Sequence, residues 1–459
     1  MPPDLGTTIA SPPGGSGRRP LMMAALVVLL SILVFGFGPR GLDTRGLEEA
    51  AARNPLELKS LRQHLYIWLV EPSRAWDDSW GVMLDAYDWL QKPHESTLYQ
   101  DVFFRQQHKF QYPPTALLPL TAMAKLGIAP TAHRLNIIGW GWIAITALAM
   151  AALSAALAEQ SGAIEPSDRA GRALAAGTAA LASLTFYPVM LAFTIGQIQT
   201  WITGCFVLVC LCWIHDRRLL AGMLIGAICL IKPQFALFPI WAVLRRQWSF
   251  LIGWGLVVAP MVILSIALYG FANNLDYLSV LQFLSLHGET YFHNQSVNGL
   301  LNRLLNPGDS LRMPPEFPPY SPLVHMATML SSAALVLAAL FPRGSRLDRA
   351  GLLDLMTAAL SFTIASPIAW EYHYGVELPI FAALLFALSA QARLERRWRL
   401  GAMLAIAYLL SANYFPITNR AAQGGFNFVQ SYLLVAGLAV LWLLYRLRAQ
   451  SDARASLRP

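Results

Sequence analysis

Two adjacent carboxylates, Asp77 and Asp78, stand between Trp76 and Trp80 in a chain that is only 13% charged. A carboxylate within hydrogen-bond reach of a hydroxyl can take its proton. Tryptophans favour the level of lipid head groups, so this pair suits a base that meets a lipid-borne substrate while still in contact with water. Asp is also a strong helix N-cap, and capping of a helix starting near Trp80 is the plainer reading. The two are compatible in a pair, since one acid can cap while the other faces substrate. Asp85 and Asp88 follow, then Tyr99 and Tyr112-Pro113-Pro114.

Four further polar clusters interrupt apolar sequence. In Thr194-Ile195-Gly196-Gln197-Ile198-Gln199, the amide of Gln197 suits a sugar hydroxyl, whereas Gln199 reads as satisfying neighbouring backbone. Lys232-Pro233 places an ammonium inside an apolar run, at a cost of roughly 2.5–3.5 kcal/mol at a helix centre. Pro233 frees backbone groups there, and a phosphate would satisfy Lys232. The run His293-Asn294-Gln295-Ser296-Val297-Asn298-Gly299 precedes Arg303 by one helical turn. Arg303 suits a bidentate fork to phosphate or, equally, a salt bridge to the first polar segment; Asn294-Gln295-Ser296 matches a glycosylation triplet by chance. In Ser366-Pro367-Ile368-Ala369-Trp370-Glu371-Tyr372-His373-Tyr374, His373 can move a proton or hold a phosphate, while Trp370, Tyr372 and Tyr374 read as interfacial aromatics.

The elements that must position these residues are membrane helices. The chain of 459 residues is 56% hydrophobic with 14 Trp, whereas soluble domains carry about 25% charged residues. Apolar runs of the length a bilayer demands fall at 21–37, 135–158, 173–193, 198–214, 218–231, 233–244, 249–270, 324–341, 350–366, 373–390, 400–414 and 428–446. The first reads as an anchor rather than a cleaved signal. The runs 218–231 and 233–244 are too short to cross unaided and should meet at Lys232-Pro233. The expected fold is all-α, a bundle of about 12 spans, with 113–127 re-entrant or interfacial.

Arg217-Arg218, Arg245-Arg246, Arg343 to Arg349, Arg393 to Arg399 and the tail after Arg446 belong inside by the positive-inside rule. Both long polar segments, 39–112 and 271–323, then lie outside. The first opens with Leu47, Leu56, Leu58, Leu61, Leu65, Tyr66, Trp68 and Leu69 among charges, the pattern of helices lying on the surface. Residues 1–20 read as a disordered cytoplasmic tail, 21–446 as one transmembrane domain and 447–459 as a basic cytoplasmic tail. A net charge of +8 is explained by these anchors and calls for no nucleic acid. The four cysteines, Cys205, Cys210, Cys212 and Cys229, lie inside expected helices and lack the spacing of a zinc site.

Taken in order, these residues resemble glycosyltransferase family 87 of the GT-C superfamily, the polyprenyl-phosphate-mannose-dependent mannosyltransferases. The matching features are Asp78 ahead of a helix and Tyr99, then Tyr112-Pro113-Pro114, Gly196-Gln197, Lys232-Pro233 before Arg245-Arg246, Asn294-Gln295-Ser296 with Arg303, and Ser366-Pro367 through Trp370 to His373. The family usually has Val-Tyr and a small-residue pair after the acid, where this chain has Ser79-Trp80-Gly81-Val82-Met83, so Asp77, Asp78 and Asp85 all stay candidates. Gln199 replaces a common Asn.

The resemblance implies an inverting enzyme without cofactor or metal. It sits in a bacterial-type plasma membrane with both termini cytoplasmic and an extracytoplasmic active site. Its partners are the bilayer, a polyprenyl-phosphate sugar and a lipid or glycan acceptor. Asp78 is then the base, Lys232, Arg303 and His373 face the donor phosphate, and Asp77, Tyr112, Gln197, Asn294, Gln295 and Trp370 contact sugar or acceptor. The rivals are a flippase of a lipid-linked saccharide, disfavoured because no repeated halves are visible, and an arabinosyl- or aminoarabinosyl-transferring GT-C enzyme.

Overall fold

In the computed structural model, the described residues are 18–33, 61–70, 72, 75–305, 310, 311, 313, 316–341, 351–390 and 397–456. Among them the secondary structure is helical apart from one isolated β-bridge. Leu47, Leu56, Leu58, most of the tail 1–20 and the loop Arg343 to Arg349 lie outside the described residues.

Five helices are long and apolar enough to cross a membrane: Ala132–Gln160, Trp248–Tyr269, Pro322–Leu340, Glu371–Ser389 and Asn427–Arg448. Arg169–Thr185 and Tyr187–Thr194 make a sixth if counted together, bent by 45° where Pro188 interrupts the ladder. The remaining expected spans are shorter helices, among them Arg19–Ser31, Gln199–Ile214, Arg218–Cys229 and Leu352–Ile364. The expected break at Lys232 is present: this residue is extended between Arg218–Cys229 and the 3₁₀ turn Pro233–Leu237, as the residue before a proline prefers. Pro114–Leu117 and Leu118–Lys125 make a short helical segment, too short to span. Residues 447–456 do not form a separate tail; they continue the helix Tyr432–Ser456.

Among the described residues, two large apolar cores stand beside a smaller one around Leu21, Ile164 and Phe386. One is membrane-like, centred on Phe206, Trp213, Phe238, Trp241, Phe250 and Leu360. In it Arg218–Cys229 and Trp248–Tyr269 touch backbone to backbone. A Cβ on Gly222 would lie 2.0 Å from Phe250 O, and one on Gly253 would lie 2.1 Å from Leu219 O. Small residues permit such approach where lipid supplies no hydrophobic drive between helices. The second core is aromatic, with Trp80, Tyr99, Phe110, Tyr112, Tyr277, Tyr291, Trp370 and Tyr372, and it surrounds the polar clusters. Cys205 and Cys210 are buried packing residues of Gln199–Ile214.

At the far end of Pro233–Leu244 from Lys232, an ionic knot fixes the bundle. Arg245 Nε lies 3.0 Å from Asp354 Oδ2, its guanidinium also donates to Leu340 O and Ala339 O, and Arg448 reaches Asp354 Oδ1 at 2.5 Å. Three helix ends and the helix Tyr432–Ser456 are thereby tied together. Removing one member of a buried ion cluster leaves uncompensated charge and typically costs about 3–5 kcal/mol. Asp354→Ala is therefore expected to lower the thermal unfolding midpoint in detergent markedly; an unchanged midpoint would show the knot to be dispensable.

Candidate active site

The first acid is placed by a backbone clasp between segments more than a hundred residues apart. Trp76 N donates to Thr194 O at 2.9 Å, Asp78 N to Ile195 O at 2.9 Å and Ser79 N to Gly196 O at 3.1 Å. Ser79 Oγ accepts from Ile198 N at 2.8 Å. Asn136 of Ala132–Gln160 locks the clasp from outside, donating to Trp76 O at 3.1 Å and accepting from Trp80 Nε1 at 2.8 Å. Gly196 has φ +69°, and a Cβ there would lie 1.9 Å from Trp76 O. Only glycine fits, both for its left-handed backbone and for the contact.

This clasp presents Asp78 to a cavity of about 400 Å³, lined also by Tyr112, Gln197, Lys232, His293, Trp370 and His373. Gln197 Nε2 donates to Asp78 Oδ2 at 2.5 Å, and Tyr112 Oη donates to Gln197 Oε1 at 3.1 Å. The Asp78 side chain is reachable through the cavity but ringed by protein. That enclosure raises its pKa, while the Gln197 hydrogen bond and the charges of His293 and Lys232 oppose the shift. Across the cavity, Lys232 Nζ lies 2.6 Å from His373 Nε2 and over the Tyr112 ring at 5.3 Å. His373 Nδ1 accepts from Trp370 N at 3.2 Å, so the ring proton sits on Nε2. Lys232 and His373 thus share one hydrogen bond, Nε2 donating to the Lys232 nitrogen, and an anionic oxygen that entered between them would accept from both.

A second clasp holds this wall. Gln295 N donates to Ala369 O at 2.7 Å and Glu371 N to His293 O at 3.0 Å, with Asn294 and Trp370 as the bridge pair. Here the sequence reading needs correction. Asn294, Gln295 and Arg303 are fully buried and do not line the cavity. Asn294 donates to Glu289 O and Pro367 O and accepts from Ala369 N. Gln295 bridges Phe292 O and Gln430 O. Arg303 donates to Tyr291 O, Asn294 O and Ser431 Oγ. Burial lowers its pKa to about 10, which leaves it charged at neutral pH as an organiser of the loop. Both terminal nitrogens donate to protein, Nε is buried without a hydrogen-bond partner among the described residues, and the side chain neither faces the cavity nor makes a salt bridge to the first segment.

The choice among the acids narrows. Asp77 occupies the N-cap position of Asp78–Leu90 but makes no capping bond, and its side chain is outside the cavity lining. Asp85 pairs with His108 at 3.0 Å on the surface. Gln199 is buried in the first turn of its helix and away from the cavity. The sequence reading assigned no role to His293, whose Nδ1 meets buried Glu371, or to Lys109, which lines the cavity and pairs with buried Glu289 at 2.8 Å. Their partners are 78 and 180 residues away, so only the acid inside Trp370-Glu371-Tyr372 was visible as a signal.

An apolar helical bundle holds a cavity with a carboxylate on one wall and the Lys232 and His373 nitrogens on another, a frame compatible with a membrane glycosyltransferase. The family comparison is specific: residues 110–367 match the model of glycosyltransferase family 87, and the chain belongs to that family. The matched range holds Tyr112, Gln197 and Lys232; Asp78, Trp370 and His373 flank it. No curated protein matches the chain.

Because the clasp sets where Asp78 points, Gly196→Ala should disturb catalysis more than stability. Displacements of about 1 Å at a reacting group can cost about 100-fold in rate. We expect a loss of that order in sugar transfer by a protein that still purifies as a folded species; full activity in Gly196→Ala would refute the role of the clasp.

Proposed function

We propose that this enzyme transfers a sugar, mannose by its family resemblance, from a polyprenyl phosphate to a hydroxyl of a lipid or glycan acceptor, with inversion. The reaction takes place at the outer face of a bacterial-type plasma membrane, in a bundle of about 12 spans with both termini cytoplasmic. The observation that supports this reading is a single cavity lined by both Asp78 and the Lys232–His373 pair.

The chemistry follows from that separation. Asp78 takes the acceptor proton as the acceptor oxygen bonds to C1 of the sugar. The bond from C1 to the phosphate oxygen breaks on the opposite side, and its electron pair leaves with the phosphate. Lys232 and His373 receive the growing charge in a partly dry site, where fixed donors are worth more than in water. Tyr112, Gln197 and Trp370 contact sugar hydroxyls and faces. Leu281, Leu284, Ile231 and Ile368 give the prenyl chain an apolar wall.

Asp78→Asn keeps the shape and removes the basicity. Radiolabelled polyprenyl-phosphate-mannose, incubated with the variant and total membrane lipid, should yield product about 10²–10⁴ times more slowly; transfer at the wild-type rate would exclude Asp78 as the base. The base works only when ionised, so activity should rise with pH through the raised Asp78 pKa and fall below it. Gln197→Leu removes a hydrogen bond that favours the carboxylate and should move this acidic limb to higher pH; a limb that stays in place or moves down would contradict the assignment.

A further inference from the structure

His293 lines the same cavity and has no part in the steps above. Its Nδ1 lies 2.5 Å from Glu371 Oε2, to which Tyr187 Oη also donates at 2.7 Å. Glu371 is fully buried and its carboxylate can only accept, so Nδ1 carries the ring proton and Nε2 keeps its lone pair. Among the described residues, Nδ1 is the only ring nitrogen of His293 with a hydrogen-bond partner. The side chain is 11% exposed. His373 differs, since Trp370 N and Lys232 engage both of its nitrogens. An imidazole backed by a buried carboxylate is the arrangement that holds an imidazolium once it forms.

Asp78 is exposed to the same cavity and has a use for such a neighbour. After each transfer it holds the acceptor's proton and must lose it before the next acceptor binds. Of the groups around it, Gln197 Nε2 is a donor, Lys232 is engaged by His373 Nε2, and Tyr112 Oη is already donating to Gln197. His293 lines the same cavity as Asp78. Resting on the transfer reading, we propose that His293 is a proton relay that clears Asp78 between turnovers, with Glu371 and Tyr187 as positioning residues. The proton passes from the Asp78 carboxyl to His293 Nε2 through a cavity water or hydroxyl. The imidazolium, held by Glu371, then gives it to the departing lipid phosphate. The net movement is one proton from acceptor hydroxyl to phosphate, with no other reactant.

A relay acts after the chemical step, and this separates it from a base. With enzyme in excess over radiolabelled polyprenyl-phosphate-mannose, His293→Ala in liposomes should complete a single turnover at the wild-type rate. With substrate in excess, its kcat should fall by about 10–100-fold, and added imidazole should restore much of the loss. The intact single turnover shows that the variant folds; if His293→Ala cannot be purified, His293→Gln takes its place. Glu371→Gln should slow multiple turnover in the same pattern. Multiple turnover at the wild-type rate, or a single turnover slowed as much as the steady state, would overturn the relay. Asp78→Asn in the same assay keeps the two ideas apart. Its single turnover fails if Asp78 is the base, whereas a full rate there would sink the transfer assignment and not merely the relay.

Discussion

The pairing of residues 76–79 with 194–198 is the contact on which the site depends. It joins the middle of the first polar segment to the start of Gln199–Ile214 through hydrogen bonds to backbone. Those bonds satisfy N–H and C=O groups that would otherwise be stranded between membrane helices, where each costs several kcal/mol. The same geometry turns Asp78 toward the cavity and sets Gln197 against it. Because Gly196 tolerates no side chain, the pairing has one register, and the acid has one place.

Charge in the cavity is managed by opposition rather than by neutralisation. Lys232 is hydrogen-bonded to an imidazole instead of an anion, which leaves that point ready for a phosphate oxygen. Asp78 is held by a neutral amide instead of a cation. Buried ion pairs are formed by other residues, in the Arg245–Asp354–Arg448 knot and in the Lys109–Glu289 pair at the cavity wall. The protein therefore spends its buried pairs on rigidity and keeps its working charges unmatched until substrate arrives.

Much of this arrangement was legible in the sequence. Hydrophobic runs located the helices within a few residues, because bilayer thickness dictates their length. Lys232-Pro233 announced both the break and the cation, since neither belongs in an uninterrupted apolar helix. Arg303, Asn294 and Gln295 were misassigned for a shared reason: polar side chains beside a site also suit the task of satisfying loop backbone, and burial alone tells the two apart. The knot and the His293–Glu371 pair join residues about 80 to 200 positions apart, which no local pattern encodes. Among the described residues, five helices, or six with the bent pair, are long and apolar enough to cross alone, and the other apolar runs fold as shorter helices.

The most direct test of the account is a high-resolution structure of the enzyme bound to a polyprenyl-phosphate sugar. The account predicts a phosphate oxygen between Lys232 Nζ and His373 Nε2, separating them, with C1 of the sugar turned toward Asp78. A donor phosphate bound elsewhere, with the Lys232–His373 contact intact and Asp78 remote from the sugar, would contradict it.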